Sequence, residues 1–368
     1  MRQSPTCFGK RELLRAGPQG NRGGFDGLTV EGQKGAVVRK AYLWLCVVAV
    51  IMIVTVSIAQ ADSRIAFSSD RPGEGDERDL WKMKDDGTNQ IAVTELQFEA
   101  HNPSIGQNGS KIFFDYEDGK IYMGDFTDVE ETPVALFDGR DPDSMTLISL
   151  GGGRERLLWT DEFAGADKIW MGVIDVDTGF LEEAAILMSP SGDHVQAEFC
   201  GSDHFVWVVA GFYESGNGLC YQEFDDDGPV GTSRCRFGFG DGFVDAHPSC
   251  NPAGTTIAWA RETEYESGIT QIFTISVEDF VKPDTELNDE EALEEADQVT
   301  FTTHDSVATM PAWSPSGSQI AYATNQLLNG STDYEIWVIN AVAPFNPQSR
   351  TDNSDEDDEP DWGPAILE

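Results

Sequence analysis

The residues in this sequence whose types could support chemistry are a set of histidines with one carboxylate among them. Four of the five histidines are spread along the chain ahead of repeated elements, and an aspartate precedes one of them by two residues: His101, His194, Asp245, His247 and His304. Imidazole and carboxylate groups are ligands for divalent metals such as zinc and manganese. If the fold brings them together at one place, these residues could hold such an ion. The alternative interpretation is that they are polar side chains satisfied by water.

The sequence lacks the common catalytic motifs. It contains no Gly-x-Ser-x-Gly nucleophile elbow and no His-Glu-x-x-His zinc motif, which are the signatures of serine hydrolases and of many zinc peptidases. Its acidic runs at 225–227, 284–297 and 352–361 do not have the Asp/Asn spacing of an EF-hand loop. We therefore predict no catalytic residue, and no cofactor beyond the possible divalent metal.

The charge of the chain excludes one class of function. The 368 residues include 24 Lys and Arg against 65 Asp and Glu, which gives a formal net charge of −41. Neutralising the phosphates of a nucleic acid requires clustered basic side chains, so nucleic-acid binding through a basic surface is excluded. The charge is also uneven, because residues 1–40 carry +5 and residues 62–368 carry −46.

The boundary between these two regions is an apolar segment. Residues 41–61 contain no charge, and the segment ends in Ala59-Gln60-Ala61, which fits a signal-peptidase site. A basic flank, an apolar run and small residues predict a signal peptide, with an uncleaved signal anchor as the alternative. Residues 1–40 are a long basic region for a signal, and a start near Val37 would give the usual length. In either case the body, 62–368, is predicted to be exported, periplasmic or secreted, or else membrane-anchored outside the cytoplasm.

The body contains four cysteines, an even number that suggests disulfides in an oxidising compartment. An Asp227-Gly228 turn would pair residues whose numbers sum to 455, which places Cys220 opposite Cys235 across a hairpin. Strict alternation makes this a wide, hydrogen-bonded pair, so a local bulge would be needed. Cys200 and Cys250 occupy equivalent places in adjacent repeats, and either a disulfide or two buried thiols would fit.

An internal repeat organises the body. A short strand of two apolar residues followed by an aromatic one occurs six times, and a second strand follows each copy. The first residues of the six copies are Ile65, Ile112, Leu157, Phe205, Ile257 and Ile320. A proline-rich element such as Pro311-Ala312-Trp313-Ser314-Pro315 precedes the clearest copies. Repeats of about 40–50 residues with four strands each are typical of a β-propeller.

The two ends of the body complement each other. Residues 359–364 read as the first half of a seventh unit, and the body begins at Ser63 with an aromatic strand that lacks this half. The sequence therefore predicts an all-β, six-bladed β-propeller of four-stranded blades, closed by pairing of its N- and C-terminal segments. A two-sheet β-sandwich is the competing fold, but it explains neither the period nor the complementary ends.

At this level a family resemblance is visible. The segment Arg64–Arg71 with Leu80–Met83 and Asp85-Asp86-Gly87, and the segment Pro311–Tyr322, resemble the TolB-type propeller repeat. The resemblance covers 62–368, and it implies a propeller that serves as a subunit of an envelope complex. TolB also has a small α/β domain ahead of its propeller, for which we expect no room here. Its role in the Tol–Pal system therefore does not simply transfer.

The resemblance leaves two functions open. The first is an exported, non-catalytic binding or scaffold propeller, with envelope proteins or a small ligand as partners at the channel mouth. The second is a metal-dependent, lyase-like enzyme that uses the histidines at the channel mouth, as some TolB-like propellers that cleave acidic polysaccharides do. A surface of −46 would repel a polyanionic substrate, so we favour binding. Membrane contact is expected only through residues 41–61.

Overall fold

A computed structural model of the chain describes most of the body. The described residues are 63–364, apart from 72–77, 95–98, 107, 117, 127–132, 139–141, 143, 183–184, 190–192, 211–216, 238–242, 264–267, 303–305 and 327–332. The predicted leader, 1–40, and the predicted signal peptide or anchor, 41–61, lie outside these residues. Within the described part, no helix has the length and apolarity needed to cross a membrane.

The described residues form six antiparallel sheets, which we number as blades in chain order. Blade 1 contains β1 (Arg64–Ser69), β2 (Asp79–Lys84) and β3 (Ile91–Ala92). Blade 2 contains β4 (Ala100–Ile105), β5 (Lys111–Tyr116), β6 (Lys120–Asp125) and β7 (Val134–Asp138). Blade 3 contains β8 (Met145–Gly151), β9 (Arg154–Glu162), β10 (Asp167–Asp175), β11 (Phe180–Leu181) and β12 (Ile186–Leu187).

The second half of the body continues the pattern. Blade 4 contains β13 (Asp193–Phe199), β14 (His204–Ala210), β15 (Gly218–Asp225) and β16 (Gly228–Arg236). Blade 5 contains β17 (Asp245–Cys250), β18 (Thr256–Glu262), β19 (Thr270–Ser276), α1 (Val277–Phe280), α2 (Asp289–Glu295) and β20 (Asp297–Gln298). Blade 6 contains β21 (Ala308–Trp313), β22 (Gln319–Thr324), β23 (Glu335–Asn340) and β24 (Gln348–Ser349), and β25 (Asp357–Gly363) returns to blade 1.

Each blade is an antiparallel meander that runs from an inner to an outer strand. In blade 3 the outer position is shared by β11 and β12, which both pair with β10. The inner strands contact one another in the order β25, β4, β8, β13, β17, β21 and back to β25. This closed order confirms the predicted six-bladed β-propeller.

The ring is closed as the complementary ends predict. Strand β25 pairs antiparallel with β1, with Trp362 opposite Ile65 and Asp357 opposite Ser69. The Ser69 hydroxyl donates to the buried Asp357 carboxylate at 2.5 Å. Blade 1 is therefore assembled from both ends of the body, so no sheet edge is left open between the first and last units.

The core of the propeller lies between blades. In β1, Ile65 and Phe67 pack against blade 6, whereas Ala66 packs against blade 2. The same division holds in β22, where Ile320 and Tyr322 face blade 5. Side chains alternate between the two faces of a strand, so the apolar–small–aromatic signature gives each blade one bulky face and one flat face. The bulky face of each blade fills the space against the flat face of its neighbour.

Both cysteine pairs are disulfides in the structure. Cys220 lies opposite Cys235 and is bonded to it. Cys200 is bonded to Cys250 across blades 4 and 5, with 5.1 Å between their Cα atoms. The predicted turn was wrong by one residue, because Asp225 pairs with Gly228 and the turn is Asp226-Asp227.

A bulge restores the register that joins Cys220 to Cys235. The pairing shifts between Tyr221 and Glu223, where β16 contains two extra residues around Gly231. The φ of Gly231 is +71°, a conformation that favours glycine. The numbers of the paired residues therefore sum to 455 at the cysteines, as predicted, but not at the turn. This bulge of two residues is longer than the local bulge that we expected.

Blade 5 carries a helical insertion that is anchored by a buried arginine. Helix α2 begins with a capping box in which Asn288 and Glu291 satisfy each other's backbone N–H groups. Arg236 at the end of β16 is fully buried. Its guanidinium donates to the carbonyls of Phe280, Lys282 and Leu287 at 2.5–2.9 Å. One side chain of blade 4 thus holds the insertion of blade 5 in place.

Candidate functional site

The inner strands of five blades share an unusual backbone feature. Each has a register shift against its neighbour, and the residue at the shift has a left-handed conformation with φ between +49° and +52°. These five residues, the bulge ring, are Asn102, Gln196, His247, Met310 and Glu359. A positive φ is uncommon for residues other than glycine, especially for long side chains, and such strain is concentrated at functional sites.

Proline fixes four of these bulges. Asn102, His247, Met310 and Glu359 are each followed by a proline, which has no N–H to offer to a strand partner. The register shift places this proline where the pairing is already interrupted. The local sequence and the local backbone therefore agree at each of these positions.

All five bulge-ring side chains line one cavity in the central channel. Its volume is about 240 Å³, and blade 3 contributes Ser144 and Met145 at the corresponding place. A second cavity of about 650 Å³ lies towards the other end of the channel, and the two share Glu198, Ser249 and Asp361. We call these three shared residues the waist. Among the described lining residues of both cavities, none is Lys or Arg.

Polar side chains in the channel satisfy the exposed edges of the inner strands. Glu359 Oε2 accepts from the Asn102 N–H at 2.8 Å, and Gln196 Oε1 accepts from the His247 N–H at 2.8 Å. At the waist, Asp361 Oδ2 accepts from the Ile105 N–H at 2.6 Å. Each contact runs from one blade to the next, so these side chains join blades as well as line the channel. An inner-strand N–H without such a partner would otherwise need water.

Glu359 is the acidic member of the bulge ring and accepts hydrogen bonds from two other residues. Burial alone would raise its pKa, but contacts from His101, Arg78, the Asn102 N–H and the Ser68 hydroxyl lower the pKa to about 2. The Ser68 hydroxyl donates to Glu359 Oε2 at 2.7 Å. The hydrogen bonds from the Asn102 N–H and from the Ser68 hydroxyl are both accepted by Oε2. Glu359 is therefore ionised at neutral pH.

The two histidines near Glu359 have opposite charge preferences. His101 Nδ1 lies 3.8 Å from Glu359 Oε2, and this contact raises the pKa of His101. Burial lowers the pKa of His247 to about 4, so that imidazole is neutral at physiological pH. The Gln196 amide nitrogen lies 3.4 Å from His247 Nε2, which fits an unprotonated acceptor at that atom.

The waist contains two carboxyl groups that interact. Burial raises the pKa of Asp361 to about 6. Burial and the charge of Asp361 raise the pKa of Glu198 well above its ordinary value. Both carboxyls of the waist therefore hold their protons to a higher pH than free carboxyls do.

The remaining predicted site residues lie elsewhere or outside the described chain. His194 accepts from the Trp207 indole N–H at 2.7 Å. Asp245 is fully buried and accepts from Trp259 at 2.8 Å and from Arg261 at 2.5 Å. His304 lies outside the described residues. In the described part of the chain, no three His, Cys, Asp or Glu side chains are placed to hold a metal ion.

Sequence reasoning found His247 and missed the other members of the bulge ring and the waist. The signal was present as a residue followed by proline in the inner strand of four blades, at 102, 247, 310 and 359. Reading this as a backbone bulge, rather than as the start of a strand, would have identified the channel-lining residues.

Comparison with known proteins gives the fold but no sequence family. No family model matches the chain, and no curated protein matches it. Among solved structures, TolB from Acinetobacter baumannii superposes with a TM-score of 0.55 at 18% identity, over 82% of this chain and 66% of that one. A putative TolB from Agrobacterium tumefaciens gives 0.53 at 13% identity, over 82% and 98%. Hydrazine synthase from Kuenenia stuttgartiensis gives 0.57 at 12% identity, over 83% and 47%.

These likenesses define the class of the protein as a TolB-like β-propeller. The chain spans less than two thirds of the Acinetobacter protein and less than half of the hydrazine synthase chain. At such identities the likeness shows the fold alone, because one propeller fold serves many functions. The function has to be argued from the channel.

Proposed function

We propose that this protein is an exported, non-catalytic binding propeller whose channel takes up a small ligand or a segment of a protein partner. The observation that carries the proposal is the bulge ring, in which five blades hold a left-handed residue against the same cavity. Backbone strain of this kind costs of order 1 kcal/mol or more per residue. A scaffold without a site would have no need to repeat it around one opening.

The chemistry of the channel limits what it can bind. Glu359 supplies an ionised carboxylate, Gln196 and Asn102 supply amides, and Met310 supplies an apolar, adaptable surface. The absence of Lys and Arg among the described lining residues argues against a polyanion. A neutral or cationic group with hydrogen-bond donors fits this set. The −46 charge of the body favours the same kind of ligand at longer range.

A metal-dependent lyase is the weaker proposal. Neutral His247 could coordinate a divalent ion, but its partners among the described residues are the amide of Gln196 and no second imidazole. His194 is engaged by Trp207, and Asp245 by Trp259 and Arg261. Elemental analysis of the purified protein tests this proposal. Stoichiometric manganese or zinc that is lost in His247→Ala would favour the lyase over the binding module.

Export is supported by the two disulfides, which form in oxidising compartments and are rare in the cytosol. We place the propeller in the periplasm or outside the cell, with residues 41–61 as its cleaved signal. Retention through that segment is the alternative. The mass and the N-terminal sequence of the protein from the native host distinguish the two.

Site-specific photo-cross-linking tests the channel proposal. A benzophenone amino acid replaces Met310 in the channel or Val230 on the exposed outer strand of blade 4, and both variants are irradiated in the native host. We expect discrete adducts from position 310 that are absent from position 230 and decrease in a Glu359→Gln background. Equal adducts from both positions, or none from position 310, would contradict the channel as the binding surface.

A further inference from the structure

A separate cavity lies between blades 3 and 4, away from the bulge ring. Its volume is about 350 Å³. Four apolar side chains contribute to the lining, namely Leu150, Met171, Val173 and Ile186. The polar lining consists of two arginines, Arg154 and Arg156, and one carboxylate, Asp226. Apolar side chains beside a few convergent polar groups are a usual feature of small-molecule sites.

Arg156 is the central polar group of this cavity. Only 9% of the residue is exposed, and its guanidinium lies 5.4 Å from the centre of the Phe224 ring. Its Nε is buried without a hydrogen-bond partner. Guanidinium groups present several donors in one plane, which suits a carboxylate that accepts two bonds at once. The protein satisfies this buried fork only in part.

Among the described residues, the carboxylate bonded to Arg156 comes from a weakly held position. Asp226 lies in the two-residue turn between β15 and β16, and its side chain is 91% exposed. It reaches across from blade 4 to bond Arg156 Nη2 with one oxygen. Ion pairs with such an exposed partner contribute about 1 kcal/mol or less. A carboxylate from outside could therefore take this place at little cost.

The second arginine extends the positive surface to the rim. Arg154 lies two residues before Arg156 on β9, so both point to the same side of the strand. Its Nε donates to Glu182 Oε2 at 2.6 Å, and its side chain is 43% exposed. In a body with 16 basic residues against 62 acidic ones, two arginines at one cavity are an exception.

From these observations we infer that the cavity is a binding site for an aliphatic carboxylate, in which Asp226 occupies the place of the ligand's carboxylate. Arg156 binds the carboxylate, Arg154 attracts it to the rim, and Leu150, Val173 and Ile186 contact the aliphatic chain. The site is independent of the channel, so its failure would leave the channel proposal intact. The carboxylate could belong to a free acid or to the C-terminus of a peptide that ends in an apolar residue.

Arginine Nε–H signals in ¹H–¹⁵N NMR spectra of the folded body test the inference. The probes are hexanoate and N-acetyl-leucyl-leucine, with hexan-1-ol and the peptide amide as their uncharged counterparts. We expect a saturable shift of the Arg156 signal with the carboxylates at millimolar concentration and none with the counterparts. Preference for the peptide or for hexanoate distinguishes the two sources of the carboxylate.

Variants separate a binding site from a structural ion pair. Asp226→Asn removes the internal competitor and should tighten binding by up to about fivefold. Arg156→Lys should weaken it by about tenfold or more, because the planar fork is lost. Arg154→Gln, at the exposed rim, should weaken it severalfold and serves if the Arg156 variant does not fold. Asp284→Asn is the matched control, because exposed Asp284 bonds Arg234 through one oxygen and does not line this cavity.

Two results would overturn the inference. The first is no saturable shift in either the wild type or Asp226→Asn. The second is an affinity that Arg156→Lys and Arg154→Gln leave unchanged. If Asp226→Asn lowers the stability and does not increase the affinity, the ion pair only fastens blade 4 to blade 3, and the inference is again wrong.

Discussion

At the waist of the channel, removing a negative charge is predicted to stabilise the protein. Because burial raises the pKa of Asp361 to about 6, the folded protein holds this proton more tightly than the unfolded chain does. A carboxyl whose pKa is raised by folding stabilises the folded state fully at a pH below its unfolded-state pKa. This stabilisation is lost as the pH rises through its folded-state pKa. Asp361 therefore destabilises the folded state at neutral pH. We predict that Asp361→Asn stabilises the protein more at neutral pH than in mild acid.

The size of this effect follows from the pKa change. Moving a carboxyl pKa from 3.8 to about 6 corresponds to about 3 kcal/mol once the pH exceeds both values. Two factors reduce the gain on substitution. Water in the channel solvates the carboxylate in part, and the Asn oxygen accepts the Ile105 N–H bond less strongly than a charged oxygen does. We therefore expect a net stabilisation of about 1–2 kcal/mol near pH 7.5 and about a third of that near pH 4.5, which still lies above the ordinary carboxyl pKa of 3.8.

Urea unfolding at these two pH values measures the effect directly. The comparison uses the wild type, Asp361→Asn, and Asp177→Asn as an exposed carboxyl control. Asp361→Asn should raise the free energy of unfolding more at the higher pH than at the lower one, and the control should change it little at either. A gain of equal size at both pH values, or a loss at pH 7.5, would refute the assignment of a raised pKa to Asp361.

Three further predictions follow from contacts described above. Glu359→Gln removes the carboxylate that raises the pKa of His101, so an NMR titration should find that pKa lowered; an unchanged value would point to Glu99, 3.4 Å from its Nε2. Arg236→Met leaves the three carbonyls of the blade 5 insertion unpaired and should lower the free energy of urea unfolding by about 3 kcal/mol, whereas the same change at half-buried Arg234, whose partner Asp284 is exposed, should lower it by less than about 1 kcal/mol. Replacing Cys200 and Cys250 by Ala, which opens a loop of 50 residues, should lower the free energy of unfolding by about 1 kcal/mol more than replacing Cys220 and Cys235, whose separation is 15; the opposite order would contradict the loop argument.

The sequence predicts the architecture well because the blades are built from local patterns. Ile65-Ala66-Phe67 and its five equivalents are short alternating strands, and their bulky and small faces are set by a period of two. The closure of the ring follows from the position of Trp362 relative to Ile65 in the repeat. None of these inferences needs a side-chain contact between blades, so the fold could be derived from one chain.

The channel could be predicted only in part because it depends on contacts between blades. The direction in which the His194 side chain points decides whether it faces a metal site or Trp207. The spacing of residues in the sequence does not determine that direction. The turn at Asp226 was misplaced for a different reason, since a bulge at Gly231 in the same hairpin compensates for it. The strain at Glu359 and Met310 likewise becomes visible only when the inner strands are placed side by side.

The strand that closes the ring also carries two of the acids that line the channel. Glu359 and Asp361 both lie on β25, which joins blade 1 only when the chain has returned to its starting point. During synthesis and export, a chain that ends before residue 357 has neither the pairing to β1 nor these two carboxylates. Assembly of the ring and creation of the site are thus one event, so an incomplete chain cannot capture a ligand in the channel. Ligand binding in the channel therefore indicates that the ring has closed.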